Sequence, residues 1–137
     1  MSRLNTPTTI DAAPTATHTS LKAVEKQLGR VPNMFRVVAN SPAALTGYLQ
    51  LSAASAQGGL GTATLERIAL AVAEINGCDY CLAAHSFLGR KVAKLDDAEL
   101  TANRSGASND PKADAAVRFA AAVVRQRCLL YTSDAAD

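Results

Sequence analysis

From Ser20 onward, apolar residues recur at intervals of three and four, the period of helices that bury one face. Leu21, Val24 and Leu28 make the first stripe, with Ser20 placed to cap it and Gly29 to stop it. Asn33 caps a short second piece carrying Met34, Val37 and Val38. Ser41-Pro42 reads as the N-cap and first residue of a longer helix, running to about Ala56 with Leu45, Tyr48, Leu49 and Leu51 and closed by Gly58-Gly59 and Gly61. The next helix is predicted from Thr62 or Thr64 to about Ile75. Leu65, Ile68, Ala69, Leu70, Val72, Ala73 and Ile75 leave it almost no polar face, so it belongs in the middle of a bundle. Its polar members Glu66, Arg67 and Glu74 are then costly unless partnered. After Asn76-Gly77 another helix is expected to about Lys94, followed by a short one from Asp96 to Ala102 and a Ser/Asn/Gly/Pro turn from Gly106 to Pro111. Ala113 to Arg127 is helical again, with a stripe of Ala116, Phe119, Ala120 and Val123. Strand-type alternation is absent, and the predicted class is all-α, a helical bundle.

The two ends depart from this pattern. Residues 1–19 are polar and threonine-rich, and read as a flexible N-terminal arm in which His18 is a solvated residue. Residues 128–137, Cys-Leu-Leu-Tyr-Thr-Ser-Asp-Ala-Ala-Asp, break the amphipathic period. The string resembles the in-frame translation of a sequencing adapter, and is set aside from fold reasoning as non-native. The helical domain is thus expected over residues 20–127, with a natural chain that continued further and covered the last stripe. Left bare, that stripe favours non-native association.

Composition narrows the function. The chain has 137 residues, 48% of them hydrophobic and 19% charged, which suits one ordinary soluble domain. No apolar run is long enough to span a bilayer and the first twenty residues lack the apolar core of a secretory signal, so neither a membrane nor export is expected, and the address is cytoplasmic. The net charge of +2 is spread along the chain without a basic cluster, which argues against a nucleic-acid partner.

The candidate chemistry lies in Cys78-Asp79-Tyr80-Cys81, followed four residues later by His85. On a helix these positions fall at 0, +3 and +7, so two thiols and an imidazole share one stripe. Asn76 as N-cap with Asp79 three residues on, a variant capping box, would set Cys78 in the first turn, where free N–H groups favour a thiolate. His85 is placed to take the proton of Cys81. Closure of a Cys78–Cys81 disulfide needs a small distortion that a first turn can supply. No cofactor and no metal is required. Zinc is the weaker alternative, because three ligands on one stripe converge poorly on a tetrahedron; two structural cysteines are the bland one.

Glu66, then eleven residues, then Cys78-Asp79-Tyr80-Cys81-Leu82-Ala83-Ala84-His85 resembles the active-site signature of the alkylhydroperoxidase D-like group of the carboxymuconolactone decarboxylase family. The likeness extends over roughly Pro32 to Arg90, including Val31-Pro32-Asn33-Met34-Phe35 and Ala39-Asn40-Ser41-Pro42. It implies an all-helical domain that forms homo-oligomers and acts as a thiol peroxidase on a hydroperoxide substrate. By that resemblance Cys81 attacks the peroxide, Cys78 resolves it, Glu66 and His85 relay protons, and an external dithiol, a lipoyl domain or a thioredoxin-like protein, restores the thiols. The helix-dipole argument instead makes Cys78 the more acidic thiol. Tyr80 stands where well-studied members carry a second histidine, and is a poor base near neutral pH. Glu66 could find its partner elsewhere, in Arg67 or another subunit, and Glu74 is the rival carboxylate. A non-catalytic redox-responsive adaptor and a lactone decarboxylase remain the competing functions.

Overall fold

The structure, a computed structural model, describes residues 4–127. The expectation for residues 128–137 lies outside them. Among the described residues there are seven α-helices and no strand, so the chain is all-α: α1 (His18–Leu28), α2 (Asn33–Val38), α3 (Pro42–Ala56), α4 (Thr62–Ile75), α5 (Asp79–Lys91), α6 (Asp97–Arg104) and α7 (Pro111–Gln126). Two compact units meet in sequence at Gly58-Gly59.

The first unit closes α1, α2 and α3 around Leu21, Val31, Ala39 and Leu45, with Ile10, Phe35, Val38 and Leu49 packed on them. The residues expected as a lead-in contribute to this core. Thr15–Thr17 form a 3-10 turn, Ala13 and Thr17 are buried, and α1 starts at His18 with Thr17 at its N-cap, three residues before the cap expected at Ser20. His18 is half-buried, and its Nε2 lies 2.9 Å from the Ala13 carbonyl, so it is not the freely solvated residue that polarity suggested. Gly29 ends α1 at φ 73, in the left-handed region where a side chain would be strained. Leu28, Tyr48 and Leu51, expected on buried stripes, are exposed. Ser41 and Pro42 start α3 as predicted, the serine hydroxyl accepting the Ala44 N–H. Asn33, by contrast, is the first residue of α2 and not its cap.

In the second unit α4 is the central helix, and α5, α6 and α7 all pack on it. Leu70 and Ala71 are completely buried and Ala73 nearly so. Leu70 of α4, Leu95 of the α5–α6 loop and Leu100 of α6 form the apolar centre. Gly89 lets α5 approach this centre, because a Cβ there would stand 2.9 Å from Leu100 Cδ2. Helix α7 buries Ala113, Val117 and Ala121. This stripe lies one step around the helix from the predicted one, and Phe119 is exposed. Small residues at i, i+4 and i+8 allow close approach to α4, which outweighs the larger apolar volume of Phe119.

Candidate active site

The site begins at a two-residue reversal between α4 and α5. Asn76 is the C-cap of α4, and Gly77 follows at φ 60, a left-handed conformation suited to glycine. The Gly77 N–H donates to the Glu74 carbonyl at 3.0 Å and the Cys78 N–H to the Ala73 carbonyl at 3.0 Å. These two bonds are a Schellman motif, which satisfies the last carbonyls of α4. Asn76-Gly77 therefore ends one helix, where the sequence reading had Asn76 begin the next.

The N-cap of α5 is Cys78 itself. Its backbone is extended, at φ −94 and ψ 90, and its Sγ accepts the Cys81 N–H at 3.2 Å. The Cys78 carbonyl accepts the Leu82 N–H at 2.9 Å, the first hydrogen bond of the helix. Cys78 thus lies just outside α5, and only Cys81 and His85 sit at helical positions. This conformation removes the obstacle to closing a disulfide between residues three apart. Two helical residues would hold their Cβ atoms too far apart, whereas an extended N-cap turns its side chain over the first turn. Cys78 and Cys81 are disulfide-bonded, with their Cα atoms 5.3 Å apart, inside the usual range.

One turn beyond Cys81, the His85 ring meets Glu66 of α4, with Nδ1 and Oε2 2.8 Å apart. The carboxylate is largely buried, its side chain 15% exposed, and the imidazole is 33% exposed. A carboxylate that accepts from Nδ1–H fixes the neutral tautomer and leaves Nε2 as the basic nitrogen. Glu66 is thereby partnered by His85, and not by Arg67. The remaining charged residues of α4 are also paired. Glu74 binds Arg104 at the surface at 2.6 Å, away from either cysteine's hydrogen bonds. Tyr80 is 56% exposed.

Arg67 leads to a feature that the sequence reading missed. Its Nε donates to Glu99 Oε1 at 2.7 Å, with side chains only 12% and 8% exposed. Asn103 and Ser108 also donate to Oε1, and the Asn109 N–H to Oε2 at 2.8 Å. Burial by itself would raise the Glu99 pKa. The hydrogen bonds from Ser108, Asn103, Asn109 and Arg67 outweigh it and hold the carboxyl down to about 2. This cluster ties α6 and the following loop to α4 at the residue next to Glu66, and so fixes the register of the helix that carries it. The available signals were the unpaired Arg67 on an apolar helix and the spacing Asp96 to Glu99, in which Asp96 Oδ1 accepts the Glu99 N–H.

Residues 41–122 match the family model described as the carboxymuconolactone decarboxylase family. That segment contains Glu66, Cys78, Cys81 and His85. No curated protein matches the chain.

Proposed function

The chain belongs to the carboxymuconolactone decarboxylase family, and on that premise we propose that it is a thiol-dependent peroxidase cycling Cys78 and Cys81 between dithiol and disulfide. The observation that carries this reading is the closed Cys78–Cys81 bond one helical turn from an imidazole held by a largely buried carboxylate.

In the proposed cycle the Cys81 proton passes to Nε2 of His85, and the thiolate attacks the terminal oxygen of a hydroperoxide ROOH. The O–O bond breaks, the alkoxide takes a proton from the imidazolium and leaves as ROH, and Cys81 becomes a sulfenic acid. The Cys78 thiolate then attacks the Cys81 sulfur. The S–S bond forms, the S–O bond breaks, and the hydroxide leaves as water with the proton that the Cys78 thiol gave up. An external dithiol of the lipoyl or thioredoxin-like kind returns the two electrons. Glu66 is a positioning residue that holds Nδ1 and offsets the charge of the imidazolium. Tyr80, on the solvent side of the first turn, has no proton-transfer step in this cycle. The exposed aromatic residues Tyr80, Phe87 and Phe119 favour assembly as a homo-oligomer. Among the described residues no helix is long and apolar enough to cross a membrane.

The test is consumption of an organic hydroperoxide in the presence of excess dihydrolipoamide. Multiple turnovers are expected from the natural pair, none from Cys81→Ser, and at most a single turnover from Cys78→Ser. A Cys81→Ser variant that still consumed peroxide would overturn the proposal. No turnover in the wild type would leave a redox-responsive adaptor, and lactone decarboxylation that survives Cys81→Ser would point to the chemistry in the family's name.

A further inference from the structure

We infer that Cys78 is the sulfur that departs as a thiolate when an external thiol opens the disulfide, so that the incoming sulfur is captured on Cys81. The inference rests on the dithiol/disulfide cycle proposed above and specifies its reductive half.

The two sulfurs are held differently. Cys78 is fixed through its backbone on both sides, by its N–H to Ala73 and by its carbonyl to the Leu82 N–H. Its Sγ occupies the position that a serine or aspartate oxygen takes at a helix N-cap, accepting the Cys81 N–H. That hydrogen bond exists already in the disulfide, to a weakly accepting sulfur. A full negative charge on the same atom strengthens it and adds the attraction of the α5 N-terminus, at no cost in rearrangement. Cys81 has no equivalent. It is the third residue inside the helix, its own N–H is used by Cys78, and its Sγ accepts no hydrogen bond among the described residues. Departure of Cys81 as a thiolate would leave its charge without a backbone donor, with a proton from His85 as the recourse.

In thiol–disulfide exchange the sulfur better able to carry charge leaves faster. A thiolate RS⁻ therefore attacks Cys81 Sγ. The RS–Sγ bond of Cys81 forms, the Cys78–Cys81 bond breaks, and the electron pair goes to Cys78. With a dithiol reductant the second thiolate attacks the reductant's own sulfur, closing its disulfide and releasing Cys81. Two electrons reach the protein, and the two protons of the dithiol go to the released thiolates or to solvent. Cys81 then receives both the peroxide oxygen and the reductant, while Cys78 only resolves and departs. The same stabilised thiolate suits Cys78 to attack the Cys81 sulfenic acid.

The experiment uses the oxidised wild-type chain and glutathione, a monothiol that opens the bond without completing the reduction. After an acid quench, the glutathione adduct is located by tandem mass spectrometry. The expected result is an excess of about tenfold on Cys81 over Cys78, the ratio that one charge-assisted hydrogen bond supplies. Equal labelling, or an excess on Cys78, overturns the inference, as does a bond that millimolar glutathione fails to open. No peroxide is present, so failure of the peroxidase reading and failure of this inference are separately visible.

Discussion

Replacing Glu99 by glutamine isolates the cluster that holds α6 against α4. The variant keeps the size of the side chain and one acceptor oxygen, but removes the charge facing Arg67, which lies 2.7 Å away and is almost as deeply buried. In the folded chain the Glu99 carboxyl is held from 4.5 down to about 2. Since the folded value lies below the unfolded one, its contribution is fully present above pH of about 4.5 and is lost as pH falls toward 2. At 1.36 kcal/mol for each tenfold change, the gap corresponds to about 3 kcal/mol. That agrees with the roughly 3–5 kcal/mol for removing one partner of a buried ion pair. Asp110, whose Oδ2 stands 3.5 Å from Arg67 Nη2, compensates only in part. The chain has no tryptophan, so urea unfolding is followed by far-ultraviolet circular dichroism. With a dependence of about 1–3 kcal/mol per molar urea, the midpoint at pH 7 should fall by about 1–3 M. The difference between variant and wild type should shrink as the pH is lowered through 4 and nearly vanish at pH 2. A loss under about 1 kcal/mol at pH 7, or one unchanged between pH 5 and pH 2, would refute the electrostatic account of this cluster.

Three further outcomes follow from the same geometry. Arg104→Ala, which breaks an ion pair exposed on both sides, should leave the urea midpoint nearly unchanged in the same unfolding assay; a shift as large as that of Glu99→Gln would show the surface pair to be misjudged. Gly77→Ala places a Cβ on a residue at φ 60, and should lower stability by about 1 kcal/mol and slow re-formation of the Cys78–Cys81 bond after reduction, measured by thiol titration against time. His85→Asn should cut peroxide consumption by about a hundredfold or more with unchanged helix content, whereas Glu66→Gln should cut it less and alter its pH profile; equal losses with an unaltered profile would remove the positioning role of Glu66.

The elements were largely legible because helix periods and caps are local. Ser41-Pro42 and Gly29 mark their boundaries through backbone preferences that no distant residue alters. Asn76-Gly77 was misassigned for an instructive reason. Asparagine is common on either side of a helix end, and only the left-handed glycine after it, with Cys78 bonded back to Ala73, shows that the pair closes α4. The cysteine that was expected within the first turn is consequently the cap. Which face of α7 is buried could not be read from its period, because two adjacent stripes are both apolar and the choice depends on how closely α4 can approach. That Glu66 needs a partner was readable from its apolar helix, but His85 as that partner was not, since only the family resemblance set the two together and Arg67 stood as the alternative. The Glu99 cluster depended on a loop, 105–110, whose side chains come together only in the folded chain.

The central claim is that Cys78 and Cys81 form one redox pair that a hydroperoxide closes. Its most direct measurement is intact mass spectrometry of the reduced chain after one equivalent of an organic hydroperoxide, followed by peptide mapping. The account predicts loss of two hydrogens, with the new bond linking Cys78 to Cys81, and a trapped sulfenic acid on Cys81 when Cys78 is serine. An unchanged mass, or oxygen added to both sulfurs without a link between them, would contradict it.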